Sequence, residues 1–283
     1  MGLHEKFRLD GKVAVVTGGG QGIGRGIALG FADCGADVVV IARRKTDIDS
    51  VAKEISQRGV RGLAISGDVM DWESIPAALD QVVEELGGID IMVNNAGGNL
   101  DRKTYSLPEI SLDKFDEQLH LNMKTKFWGS QQAAKRMNDE GSIINIISIA
   151  AHRPSPGFGV YSAANMGMIS MTRTLAIELA PRKITVNCIA PGVVVTEMLR
   201  ETMNVTDEQA KQMFDQVIPL GRTGTPDDCA AAALLFALGG NQLIAMLTGL
   251  SDVRATAASY LPWMVVMPLI AVWSYLLDGV FIG

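Results

Sequence analysis

Charge is scarce in this chain. Charged side chains make up only 20% of its 283 residues, and acids outnumber bases 31 to 25, a formal net charge of −6. A globular domain ordinarily carries about a quarter charged residues. A nucleic-acid binder needs a basic face to neutralise phosphates, so nucleic acid is excluded as an expected partner. One bound dinucleotide needs only local positive charge and stays allowed. Cysteine is as sparse. Cys34, Cys188 and Cys229 stand in no metal or redox spacing, and their odd number gives no disulfide framework. They fit a reducing compartment, so a cytoplasmic location is expected. Residues 1–10 hold no apolar run and do not read as a secretory signal.

What is plentiful is apolar: 48% of the residues are hydrophobic, enough for one large α/β domain or two small ones. From Lys12 to about Ala190, β-branched runs recur at Val13–Val16, Val38–Ile41, Leu63–Ile65, Ile89–Val93, Ile143–Ile147 and Ile184–Ile189. Amphipathic stretches separate them. Strands apolar throughout and divided by helices imply a parallel sheet covered on both faces. The fold class expected is α/β, a Rossmann-type doubly wound sheet.

The first run leads into Thr17-Gly-Gly-Gly-Gln-Gly-Ile-Gly24 and then a helix over Arg25–Cys34. Glycines belong where backbone approaches a pyrophosphate and turns tightly, and the following helix N-terminus presents unpaired N–H groups to the negative charge. A tight strand-to-helix turn is the bland alternative; the strand before and helix after favour a nucleotide. Gly18, Gly20, Gln21, Gly22, Ile23 and Gly24 are the candidates for that contact. The second run ends in Ala42-Arg43-Arg44-Lys45. A carboxylate there would suit the ribose 2′-hydroxyl of NAD. Its absence, and the cations led by Arg43, suit the 2′-phosphate of NADP.

These motifs, with Asp68-Val69, Asn94-Asn-Ala-Gly97, Asn122, Ser148, Tyr161, Pro191-Gly192 and Thr196 in order, resemble the short-chain dehydrogenase/reductase family over residues 8–236. The resemblance implies a seven-stranded sheet, a nicotinamide cofactor and a small-molecule substrate. It implies adenine contacts from Asp68 and Val69, and a coenzyme wall from Asn95, Ala96 and Gly97. Pro191, Gly192 and Thr196 fall on the nicotinamide side. Tyr161 would exchange a proton with the carbonyl or alcohol oxygen, Ser148 would hydrogen-bond that oxygen, and Asn122 would hold a relay water. Singly these could be an aromatic at a helix start, a strand-end hydroxyl and a helix-kink residue.

One position departs from the family. Four residues after Tyr161, where the family carries a lysine that grips the ribose and lowers the tyrosine pKa, stands Asn165. Asparagine still hydrogen-bonds but brings no charge. Free tyrosine has a pKa near ~10, and an adjacent cation lowers it by about 1–3 units. The expectation is a cofactor-binding oxidoreductase with impaired turnover, or a pseudoenzyme. Lys124, Lys126 and Arg153 are cations that could compensate.

The resemblance fades after about Phe236, which divides the chain into residues 1–238 and an apolar tail over 239–283. Residues 255–277 carry no charge and end at Asp278. Such a run is long enough to span a bilayer. It resembles a transmembrane segment of the multidrug and toxic-compound exporter family, a fusion being one explanation. Membrane association through 255–277 and packing on the core are both open. A homo-oligomer is expected only weakly, because the family's last strand, which helps its subunits associate, is not evident. Between Pro191 and Arg222 two short helices are expected, the second capped by Thr206, with Met198, Met203, Met213 and Phe214 as an adaptable apolar lid.

Overall fold

The six apolar runs become six parallel strands. The computed structural model describes residues 7–99, 101, 103–153 and 155–238. The strands are β1 (Val13–Thr17), β2 (Asp37–Ala42), β3 (Gly62–Ser66), β4 (Ile91–Asn94), β5 (Ser142–Ile146) and β6 (Thr185–Ile189), in sheet order β3-β2-β1-β4-β5-β6. β1 pairs with β2 from Val13↔Asp37 and with β4 from Ala14↔Ile91. The order reverses between β1 and β4, which opens a crevice at their C-terminal ends, the place where such sheets bind ligands. The family's seventh strand has no counterpart among the described residues.

Alternation along each strand divides the core in two. Ala14 and Val16 face one layer, built by α1 (Gly22–Asp33), α2 (Lys45–Ser56) and α9 (Pro226–Ala237), with Phe31, Ile48, Ile55 and Ala233 buried there. Val13 and Val15 face the other, built by α3 (Ser74–Leu86), α5 (Thr125–Arg136) and α6 (Gly159–Leu179), with Ile75, Leu79, Ala133 and Ala176 buried. Burying each large side chain of this kind stabilises the fold by roughly 1.5–3 kcal/mol. α4 (Leu112–Leu119) runs into a π-helical turn over His120–Lys124 before α5. α7 (Glu197–Met203) and α8 (Asp207–Asp215) come after β6.

α1 begins at Gly22, three residues before the expected start, because the last turn of the glycine loop is itself helical. Thr206 caps α8 as expected, in a capping box with Gln209. Cys188 and Cys229 are buried free thiols whose pKa values burial lifts to about 11 and about 12. Among the described residues no helix is long and apolar enough to cross a membrane. The expectations for residues 239–283, the transmembrane likeness included, lie outside the described residues.

Candidate active site

The glycine loop is held open by contacts that only hydrogen permits. Gly18 and Gly22 have φ of 66° and 52°, a region that L side chains rarely adopt. A methyl group on Gly24 would lie 2.3 Å from the Gly18 carbonyl oxygen and 2.5 Å from Asn95 Nδ2. Gly20 packs over Asp47 and Ile48 of α2, and Ile23 is packed against the first core layer. The end of β4 is stitched to this loop. Thr17 Oγ1 accepts from the backbone N–H groups of Asn95 (3.0 Å) and Ala96 (3.2 Å), and Asn95 Nδ2 donates to the Thr17 carbonyl oxygen at 3.0 Å. Thr17 therefore shapes the site, although glycine spacing alone does not mark it.

At the end of β2, Arg43 faces Asp68 across 3.9 Å, and Asp68 Oδ1 accepts from the Met70 N–H at 3.0 Å. Val69 packs against the second core layer. Arg44, with its side chain about half exposed, hydrogen-bonds Gln21 Oε1 and pairs with Asp47 at 2.8 Å and Glu197 at 3.9 Å. The Arg44 guanidinium thus lies against the glycine loop while that of Arg43 faces Asp68; Arg43 leads the cationic run that the sequence singled out. Across the cleft, Pro191 O accepts from the Ile149 N–H at 3.0 Å, which fixes the chain before Gly192. Thr196 caps α7, and its Cγ2 would lie 3.2 Å from a methyl group on Gly22.

Ser148 ends the β5 segment as the cap of a single 3₁₀ turn. Its Oγ accepts from the Ala150 N–H at 3.1 Å, which leaves its proton free to donate. Tyr161 lies in the first turn of α6 and is half-buried. Burial pushes its phenol above the ordinary value, while the Ser148 hydroxyl and the Asn165 amide beside it pull the other way. Asn165 is 1% exposed, and its Nδ2 donates to the Tyr161 backbone carbonyl at 2.8 Å. Asn122, in the π turn, is buried with its side chain committed to backbone. Oδ1 accepts from the Gly98 N–H at 2.8 Å, and Nδ2 donates to the carbonyl oxygens of Gly98 (2.9 Å) and Gln118 (3.2 Å). The side-chain amide of Asn122 is thus occupied by backbone partners.

Among the named cations, Lys126 is the one brought into the site: it is buried, and its Nζ donates to the Ala96 carbonyl oxygen at 3.0 Å. A buried polar network fixes the elements around it. Asn94 Nδ2 donates to Ser130 Oγ (3.0 Å) and Asn145 Oδ1 (2.9 Å), and Asn145 Nδ2 donates to Thr172 Oγ1 (3.1 Å). β4, α5, β5 and α6 are tied together in this way. The lid is only partly as expected. Met198 reaches Gly98, where a methyl group would meet its sulfur at 2.6 Å, but Met203 and Met213 are exposed.

An open parallel sheet, a glycine loop at its switch point and a hydroxyl–phenol pair across the crevice define a Rossmann-type oxidoreductase. The short chain dehydrogenase family model matches residues 12–207, and the chain belongs to that family of NAD(P)-dependent enzymes. It is 34% identical to a 3-oxoacyl-[acyl-carrier-protein] reductase of Aquifex aeolicus, covering 86% of this chain and 96% of that one. It is 38% identical to the 2-dehydro-3-deoxy-D-gluconate 5-dehydrogenase of Escherichia coli, covering 78% and 86%. A short chain dehydrogenase of Burkholderia cenocepacia, solved in complex with NADP, superposes with a TM-score of 0.74 at 36% identity, covering 82% of this chain and 92% of that one.

Proposed function

We propose that this protein is an NADP(H)-dependent oxidoreductase acting on a small carbonyl or secondary alcohol, slowed by Asn165. The observation that carries this reading is the Ser148–Tyr161 pair at the mouth of a glycine-loop cleft flanked by Arg43 and Arg44. The loop suits a dinucleotide because Gly18 and Gly22 hold left-handed backbone in a tight turn and α1 opens directly from it at Gly22, its N-terminus available to a pyrophosphate. A bound nicotinamide coenzyme supplies or accepts the hydride. Gly18 to Gly24 and the α1 N-terminus would face the pyrophosphate, Asp68 and Val69 the adenine, and Asn95, Ala96 and Gly97 one wall. Pro191, Gly192 and Thr196 would close the other. Ser148 donates to the substrate oxygen, and Tyr161 delivers its proton during reduction or removes one during oxidation.

The 2′-phosphate assignment rests on Arg43 and Arg44. A hydrogen bond to a charged group is worth about 1.5–3 kcal/mol. Replacing both arginines by alanine is expected to raise the NADPH dissociation constant at least tenfold and leave that of NADH within threefold. Fluorescence titration measures both, and equal losses for the two coenzymes would remove the assignment.

Asn165 sets the rate. With no ammonium nearby on its helix, this half-buried phenol, its pKa raised by burial, stays neutral, which suits an acid better than a base. Oxidation by the native chain should therefore still be rising with pH at pH 10. Asn165→Lys is expected to raise turnover at least tenfold at pH 7 and to bring the alkaline plateau down by about 1–3 pH units. Steady-state rates over a panel of ketones, ketoacyl thioesters and sugars test this; an unchanged rate and profile would show that the position is not limiting. The second reading, favoured by the Asn165 amide being bound to the Tyr161 carbonyl, is a dinucleotide-binding pseudoenzyme tethered or assembled through residues 255–277. It requires a chain that binds NADPH, floats with liposomes or self-associates, and turns over nothing on that panel.

A further inference from the structure

Lys126 stands one helical turn after Asn122 and is 3% exposed. A methyl group placed on Gly97 would lie 2.5 Å from its Nζ and 2.9 Å from Asn122 Oδ1. The ammonium therefore lies directly beneath the Ala96–Gly97 backbone, near the side chain of Asn122, a candidate site residue. Thr17, Val69, Asn94, Ala96 and Thr125 surround Lys126, and none carries a charge. Among the described residues no carboxylate lies within ion-pair distance of Lys126, although its side chain has three donors to offer. Burial alone lowers its pKa to about 7. Burying an ion costs several kcal/mol even after relaxation, and a methionine of similar length would fill this space without that penalty. A packing role does not account for a lysine here; a polyanion arriving on the other side of the Ala96–Gly97 wall does.

We propose that Lys126 is a positioning residue of the coenzyme site, its ammonium supplying from beneath the Ala96–Gly97 backbone part of the positive charge that Asn165 does not supply. The proposal rests on the coenzyme site proposed for this protein and not on its turnover. Binding the coenzyme favours the charged form of Lys126, so the protein takes up protons on binding. In addition, a second cation at position 165 matters more when Lys126 is gone.

The test uses the full chain and NADPH. Calorimetric titration near pH 7 in two buffers of different ionisation enthalpy reads the protons taken up on binding. A group half-charged near pH 7 that becomes fully charged contributes roughly half a proton. That contribution is expected to vanish in both Lys126→Met and Lys126→Gln while NADPH still binds. The glutamine variant keeps a hydrogen bond to the Ala96 carbonyl, so a lysine needed only for structure would leave it behaving like the native chain. Turnover supplies the second readout: the gain from Asn165→Lys is expected to be at least tenfold larger in the Lys126→Met background. Proton uptake unchanged in both variants would overturn the proposal. If uptake depends on Lys126 but the native chain reduces nothing on the carbonyl panel, the oxidoreductase reading fails and the Lys126 assignment stands. If the methionine variant does not fold, the glutamine variant decides.

Discussion

Tyr161→Phe is expected to lower turnover by about 10²–10⁴-fold, the usual worth of a positioned acid or base, and to leave NADPH affinity within threefold. The ring remains, and so does its edge-on contact with Phe158 at 6.2 Å. What goes is the one hydroxyl that Ser148 and Asn165 both influence. Because Ser148 keeps its hydrogen bond to Ala150, the substrate oxygen still has a donor, and residual activity should be slow rather than absent. Single-turnover measurement with saturating NADPH separates this from a binding defect. Turnover within threefold of the native chain would mean that the proton comes from elsewhere.

Gly24→Ala is expected to weaken NADPH binding at least thirtyfold and to lower the melting temperature. The sign is informative, because alanine in a helix ordinarily gains about 1 kcal/mol over glycine. Here the new methyl group would meet the Gly18 carbonyl oxygen at 2.3 Å, which is backbone and cannot swing aside. Overpacking of this kind costs about 1–3 kcal/mol, which matches or exceeds the propensity gain. The relief available is displacement of Gly18 and of Asn95 Nδ2, the two groups that join the loop to β4. Calorimetric binding and a thermal melt check both halves, and a stabilised variant with native affinity would refute the geometry.

Much of the fold and site was legible in the sequence because its signals are local. Six apolar runs separated by amphipathic segments dictate a covered parallel sheet, and each run became a strand shifted by no more than two residues at either end. The glycine loop announces itself by type and spacing, whereas Ser148 and Tyr161 stand out only through the family resemblance. The rest is set by side chains that meet across elements. Nothing in the linear order says that Lys126, rather than Lys124 or Arg153, lies beneath the β4 loop, since that is set by how α5, entered through the π turn at His120–Lys124, packs against β4. The side chain of Asn122 likewise grips Gly98 on another segment instead of standing free. Thr17 reads as an ordinary strand-end threonine until Asn95 and Ala96 are folded against it.

The two arginines at the end of β2 have a consequence for how such an enzyme diversifies. Their partners, Asp68, Asp47 and Glu197, are partly exposed, and exposed ion pairs are worth at most about 1 kcal/mol. The proposed proton-handling groups, Ser148 after β5 and Tyr161 on α6, instead sit on elements tied together by the interior lattice of Asn94, Ser130, Asn145 and Thr172. On the function proposed above, preference between the phosphorylated and unphosphorylated coenzyme would be written on the rim, where substitution is cheap. The chemistry is written inside, where it is not, so a lineage could exchange one while inheriting the other intact.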